Sequence, residues 1–345
     1  MKRLLEIKDL EISFNVRNRE LKAIRKVSLD LFEGETLAVV GESGSGKSVL
    51  IKSLTGMLEG NGRIAGGSIL FEGRDLAQVS RNKDWQAIRG RKIATIFQDP
   101  MTALNPVRTI GSQITEVLIR QEGMNRKKVK EEAIRLLEQV GISQARDRFN
   151  DYPHQYSGGM RQRVVIAIAL ACKPQILLCD EPTTALDVTI QAQILQLIKD
   201  LQRTYGFTII FITHDLGVVA SVADRVAIMY AGQIVEYGLA EEVFYRSAHP
   251  YTWALLSSLP QLCLGQEELF AIGGTPPSLY HQLQGDAFAP RNQYAMEIDF
   301  EEEPPFFPLS KTHFAKTWLC DPRAPKVQKP ASLRDLHRTL ERMYP

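Results

Sequence analysis

Gly41-Glu42-Ser43-Gly44-Ser45-Gly46-Lys47-Ser48 fits the pattern Gly-x-x-x-x-Gly-Lys-Ser in full. Glycines at these positions let the backbone turn its N–H groups toward an anion, and a following helix presents its positive end to the same anion. In such a loop Lys47 reaches the β- and γ-phosphates of a nucleotide and Ser48 ligates Mg²⁺. Gly41, Ser43, Gly44, Ser45 and Gly46 are the cradle itself. Further on, Cys179-Asp180-Glu181-Pro182 closes an apolar run. An acid at such a strand end holds Mg²⁺, directly or through water, and the next carboxylate orients and polarises an attacking water. Asp180 is the expected metal ligand and Glu181 the expected base.

These residues need a frame. Thr36-Leu37-Ala38-Val39-Val40 is a short apolar run of the kind a buried strand shows, and it stops at Gly41. A helical pattern begins at Lys47, which gives the strand, glycine loop and helix that a phosphate loop requires. From Leu4 to Val40 the chain reads as strands with a turn at Glu33-Gly34. Gln98 to about Arg148 is more polar and helix-rich. Val129, Ala133, Leu136, Leu137 and Val140 lie at helical spacing, and Gly141 is a C-cap candidate. A second helix is expected near Ser157. Ile176–Cys179 and Thr208–Ile212 read as buried parallel strands, with a helix over Val188–Leu201 between them.

Bulk properties narrow the class. The 345 residues suggest about two domains. Hydrophobic residues make up 44% and charged residues 24%, as in an ordinary globular protein. The net charge of +2 gives no support for a nucleic-acid partner. No apolar run approaches the ~20 residues that span a bilayer, and the amino terminus opens on a strand pattern without a secretory signal. Any membrane role must therefore come through partners. Cys172, Cys179, Cys263 and Cys320 are widely spaced and contain no Cys-x-x-Cys, so neither a zinc site nor a disulfide framework is expected. After about His249 the composition shifts, with Pro276-Pro277, Pro304-Pro305 and the acidic run Glu301-Glu302-Glu303. The tail reads as an appended, loop-rich module.

The order of motifs is the specific signal. The phosphate loop, Ser157-Gly158-Gly159, Asp180-Glu181, Ala185-Leu186-Asp187 and Thr213-His214-Asp215 resemble the ATPase subunits of ABC transporters. The fold this implies is a P-loop NTPase core of RecA-like α/β type, with an antiparallel β subdomain, an inserted helical subdomain and a C-terminal extension. The expected cassette spans 1–248, with its core in 1–97 and 172–248 and its helical part in 98–171; the extension spans 249–345. The resemblance gives Gln98 the place of the glutamine that senses the γ-phosphate and contacts Mg²⁺. It gives Phe14 the place of an aromatic that stacks on adenine, and His214 a contact to the γ-phosphate that positions water. Read alone, Gln98 would be a surface amide, Phe14 a core aromatic and His214 a capping residue. The resemblance also implies a head-to-tail dimer. Each ATP is then held by the phosphate loop of one subunit and by Ser157, Gly158 and Gly159 of the other, with Asp187 communicating across the dimer. A helix N-terminus with a hydroxyl and two unencumbered amides suits a γ-phosphate.

A narrower resemblance covers nearly the whole chain. Gln98–Pro106, Tyr152-Pro153-His154, Asp180–Gln193 and His249-Pro250-Tyr251-Thr252 look like the ATPase subunits of oligopeptide and dipeptide importers. What this implies is a partner ATPase chain, with a heterodimer expected, two membrane permeases, and an extracytoplasmic peptide-binding protein reached through the complex. The chain would then sit peripherally at the cytoplasmic face of the membrane. The solute stays open among oligopeptides, dipeptides, nickel and other small solutes. A soluble ABC ATPase acting on ribosomes or DNA is the other class. The single phosphate loop and the lack of a coiled-coil or zinc insertion speak against it. Intact Lys47, Asp180, Glu181 and His214 speak against a binding module with a dead ATPase.

One departure stands out. Many relatives carry four cysteines in the extension that resemble ligands of an iron–sulfur cluster. Asp286, Asn292 and Asp299 occupy three of those places here, with Cys320 near the fourth. Such clusters are held by thiolates, so no iron–sulfur cluster is expected. Asp286, Asp299, His313 and Cys320 leave a harder metal site open, although their spacing does not support one.

Overall fold

The computed structural model describes residues 2–122, 126–184, 186–259, 272–281, 283–330 and 333. Cys263 and Ala185 lie outside them. Chain contacts divide the protein into two compact units. One holds residues 2–31, 35–77 and 213 onward; the other holds 32–34 and 78–212.

The first unit contains a four-stranded antiparallel sheet in the order Arg19–Phe32, Arg3–Val16, Gly62–Phe71, Arg74–Asp75. Its register places Leu5 opposite Phe71, Ile7 opposite Ile69 and Phe14 opposite Gly62. A shift between Lys8 and Ile12 marks a bulge, where Asp9 takes a left-handed φ of 44°. A second sheet of this unit pairs Thr36–Val40 in parallel with Arg225–Tyr230, aligning Val40 with Ile228. Antiparallel strands Gln233–Leu239, Phe314–Ala315 and Phe307–Pro308 continue it. Thr36–Val40 is buried along its whole length, as a parallel strand covered on both faces should be. The core gathers Val40, Val226, Ile228, Tyr230, Tyr251, Leu256 and Phe288. The tail therefore contributes directly to the packing around the strand that leads into the phosphate loop.

The second unit carries the parallel strands Ile93–Ile96 and Ile176–Asp180 and, up to Ile212, the strand Thr208–Thr213, with Ile93 opposite Ile176 and Asp180 opposite Ile212. Helices Ile110–Glu122, Arg126–Gln139, Gly158–Ala171 and Val188–Tyr205 belong to the same unit. The last runs four residues beyond the expected Leu201 and stops at Gly206, whose φ is 72°.

Where the tail meets the strand Gln233–Leu239, Glu236 is fully buried and accepts hydrogen bonds from Ala248 N (2.7 Å), His249 N (3.1 Å) and His313 Nε2 (2.8 Å). The residues at the expected thiol positions are buried too. Each makes a local bond: Asp286 Oδ1 accepts from Phe288 N, Asn292 Oδ1 from Tyr294 N, and Asp299 Oδ2 from Met296 N. The opposite atoms, Asp286 Oδ2, Asn292 Nδ2 and Asp299 Oδ1, have no partner.

Burial pushes the Asp286 carboxyl up to about 6; the Phe288 amide opposes the shift and the neighbouring Asp299 adds to it. A raised carboxyl pKa favours the protonated form in the folded chain. Its stabilisation is full below about pH 4 and is lost as pH rises through 6. Asp286→Asn keeps the Oδ1 acceptor and removes the titration. At pH 7.5 it should stabilise the chain by on the order of 2 kcal/mol, an advantage that shrinks between pH 6 and pH 4. Thermal unfolding across that range checks this; a gain independent of pH would assign the effect to packing instead.

Candidate functional site

The phosphate loop follows the all-buried Thr36–Val40 strand and leads into the helix Lys47–Leu54, which buries Leu50, Ile51 and Leu54. Gly46 caps that helix with a φ of 107°, a conformation costly for any residue with a Cβ. Gly41 is required by space, since a Cβ there would lie 2.0 Å from Met229 O. Gly232 N donates to Ser45 O at 2.9 Å and supports the loop from the side. Lys47 is buried, and its Nζ donates to Gly41 O (2.8 Å) and Glu42 O (2.9 Å). Its charge is therefore held against the loop's own carbonyls. Ser45 is buried, and its Oγ has no hydrogen-bond partner. An orphaned hydroxyl in a loop of turned amides is what an anion-binding cradle leaves open. Ser43, Gly44 and Ser48 are exposed. The residues present thus fit a nucleotide phosphate.

In the same unit Phe14 is 8% exposed, and its ring lies where a Cβ on Gly62 would stand, 2.5 Å from Cε1. His214 is exposed and follows the strand Thr208–Thr213 directly. The next residue, Asp215, caps the helix Leu216–Val222 by accepting from Gly217 N and Val218 N. The cap is Asp215, which leaves His214 outside that role.

The second unit holds the acidic strand end. Asp180 closes Ile176–Asp180, and Glu181 turns off the strand with a left-handed φ of 47°. That conformation is unfavourable for a glutamate and recurs where a side chain must be aimed. Glu181 N donates to Ile212 O at 3.0 Å, which locks the turn. The carboxylate Oε2 accepts from Gln98 Nε2 (3.1 Å) and Thr184 Oγ1 (2.9 Å). Gln98 and Glu181, 83 residues apart, are thus brought together. Thr184 joins them and was not singled out from the sequence; a hydroxyl three residues after the acid was the available signal.

Ser157 caps the 14-residue helix Gly158–Ala171, with Oγ accepting from Met160 N at 3.3 Å. Ser157 and Gly158 are exposed, so this helix start faces solvent. Gly159 packs on Ile190, whose Cγ2 would lie 2.7 Å from a Cβ there. Asp187 is exposed and caps Val188–Tyr205, accepting from Ile190 N at 3.0 Å. The two helix starts are thereby linked through Ile190.

The tail residues do not fit an iron–sulfur cluster. Asp286, Asn292 and Asp299 offer no thiolate, and burial pushes the Cys320 thiol up to about 11. Among the described residues no three His, Cys, Asp or Glu side chains are grouped so as to hold a metal ion. Also among them, no helix is long and apolar enough to cross a membrane.

Residues 24–184 match the family model for ABC transporters, and residues 235–298 match that for the oligopeptide/dipeptide transporter C-terminal region. The chain is 65% identical to the oligopeptide transport ATP-binding protein AmiE of Streptococcus pneumoniae serotype 4, over 97% of this chain and 94% of the relative. It is 57% identical to the oligopeptide transport ATP-binding protein OppD of Bacillus subtilis, over 99% and 96%. With the dipeptide transport ATP-binding protein DppD of Lactococcus lactis subsp. cremoris the identity is 56%, over 94% and 93%. Among solved structures it is similar to the dimeric post-hydrolysis state of the ATP-binding cassette MJ0796 bound to ADP and Pi. That match has a TM-score of 0.61 and 27% identity, and it covers 68% of this chain and 98% of that one. With its phosphate loop, its held glutamate and its matched tail, the chain belongs to the ABC transporter family, among the ATP-binding proteins that carry the oligopeptide/dipeptide transporter C-terminal region.

Proposed function

We propose that this ATPase powers the import of peptides, oligopeptides first, and that Glu181 is its catalytic base. The observation that carries the catalytic assignment is the carboxylate of Glu181, aimed by a left-handed backbone and held by Gln98 and Thr184. Relatives named for oligopeptide transport at 65% and 57% identity support the solute class. The dipeptide-transport relative at 56% keeps dipeptides as the second reading.

In the proposed mechanism the amides of Gly41–Lys47 and the Lys47 ammonium take the nucleotide phosphates, with Phe14 at the base. Ser48, Asp180 and Gln98 are the residues that would hold Mg²⁺, and the ion would neutralise developing charge on the nucleotide phosphates. Glu181 accepts the proton of the attacking water, and Gln98 and His214 orient that water. Ser157, Gly158 and Gly159 offer a helix N-terminus to the γ-phosphate on a partner ATPase chain, and Asp187 communicates across the dimer. The working assembly is a dimer of ATPase chains, proposed as a heterodimer, on two permeases fed by an extracytoplasmic peptide-binding protein. It places this chain peripherally on the cytoplasmic face of the membrane. The cassette is assigned to 1–248, with its helical part in 98–171, and the extension to 249–345.

Glu181→Gln should slow hydrolysis by about 10²–10⁴-fold while sparing ATP binding, and it should accumulate an ATP-bound closed dimer. Near-normal turnover of the assembled transporter would remove Glu181 from the role. Ser157→Arg should abolish ATP-driven dimerisation, read by sedimentation, and leave the affinity of the isolated chain unchanged; a lost monomer affinity would place Ser157 on its own chain's nucleotide. Anaerobically purified protein should contain no stoichiometric iron or acid-labile sulfide, and Cys320→Ser should leave transport nearly unchanged. Near-stoichiometric iron and sulfide would overturn that assignment.

A further inference from the structure

Glu42 is the second residue of the phosphate loop, and each of its three polar groups is held. Its N–H donates to the Tyr251 hydroxyl at 2.9 Å. Its carbonyl accepts from Lys47 Nζ at 2.9 Å. Its carboxylate takes a two-pronged bond from Arg291, with Nη1 to Oε2 at 2.8 Å and Nη2 to Oε1 at 3.0 Å. Two of the three partners lie within 235–298, the stretch that matches the C-terminal region model.

Arg291 is itself anchored. Its side chain is only 5% exposed. Nε donates to Gly273 O at 2.9 Å, and Nη1 also reaches the Tyr230 hydroxyl at 3.3 Å. The guanidinium lies over the rings of Tyr230 and Phe288, 5.7 and 6.0 Å from their centroids. Those rings pack on Tyr251 at 4.6 and 5.3 Å. Burial would lower the Arg291 pKa, but its bonds to Glu42 and Tyr230 outweigh that and hold it above its ordinary value.

A carboxylate in this loop has the wrong sign for a site that receives phosphates. Left unpaired, it would repel the incoming anion and be free to draw the loop's amides away from it. A planar, bidentate guanidinium cancels the charge and fixes the geometry together, which an ammonium cannot do. We propose that Arg291 and Tyr251 are positioning residues for the phosphate loop, by which the C-terminal region neutralises and orients Glu42 and so sets the affinity for ATP. This inference rests on the reading of residues 41–48 as the nucleotide site.

The test is the Kd of the full-length chain for Mg-ATP, measured by calorimetry beside thermal unfolding. Arg291→Gln should weaken binding at least about tenfold, because Glu42 is left uncompensated. Glu42→Gln combined with Arg291→Gln should return the Kd to within about threefold of wild type. Arg291→Lys, which keeps the charge and loses the fork, should fall between them. Recovery by a second substitution that adds no packing separates a charge and positioning role from a structural one. Tyr251→Phe removes one hydroxyl from a buried ring, so it reports on the loop even where Arg291→Gln folds poorly; it should weaken ATP about threefold or more. Arg291→Gln binding within twofold of wild type, a double variant as weak as the single one, or an unchanged Tyr251→Phe would each overturn the proposal. A wild-type chain that binds no ATP would instead overturn the phosphate-loop reading, and the inference with it.

Discussion

The phosphate loop depends on backbone approaching backbone more closely than a side chain allows. Met229 O stands where a Cβ of Gly41 would have to be, and Ala23 O would lie 2.9 Å from a Cβ on Gly46. These approaches are possible because Thr36–Val40 and Arg225–Tyr230 pair in register and are buried except at Arg225, so the carbonyl of Met229 is fixed before the loop begins. The register thereby becomes a functional quantity. A slip of one residue would send each side chain of the strand to the opposite covered face and displace the carbonyl that the loop turns around.

Charge placement follows the same logic at the other motifs. Ser157, Asp187 and Asp215 each cap a helix with a side-chain oxygen. A cap satisfies one of the amides at a helix start. At Ser157 the exposed hydroxyl and the glycine beside it leave room for an anion. Where a carboxylate caps, at Asp187 and Asp215, its own charge answers the helix dipole. The difference lies in the charge of the cap: a neutral hydroxyl at Ser157 leaves the helix dipole to the proposed γ-phosphate, whereas a carboxylate answers it within the chain.

Much of this was legible in the sequence, and the reasons are local. The apolar runs at Thr36–Val40, Ile176–Asp180 and Thr208–Thr213 are strands because nothing in them interrupts burial. Lys47, Gly158 and Val188 begin helices because the residues before them, Gly46, Ser157 and Asp187, supply turn or cap chemistry. Ambiguity survived where one residue type serves two ends. Phe14 reads also as a core aromatic, and its ring is buried against Gly62. The helix from Val188 outran its expected end because Gln202–Tyr205 carry no break, and the stop is Gly206. What spacing could not disclose is long-range pairing. Arg291 and Glu42 are 249 residues apart, and nothing near either one names the other. Thr184 is intermediate: three residues from Glu181, yet one threonine among many until the strand end aims the glutamate at it.

The tail shows how Asp286, Asn292 and Asp299 order the segments that carry them. Asp286 and Asn292 each close a turn onto an amide two residues on, and Asp299 closes a capping box onto Met296. These are short-range bonds, and none ties one turn to another. Cohesion between the turns comes from elsewhere. Asp286 N donates to Asp299 O at 2.7 Å, Phe288 packs among Tyr230 and Tyr251, and Glu236 binds both the chain entering the tail at Ala248–His249 and the returning His313. Aromatic packing and one buried carboxylate thus gather segments that local polar bonds cannot. Because Arg291 leaves the same aromatic base to reach Glu42, the forces that order the tail also order the entrance to the phosphate loop.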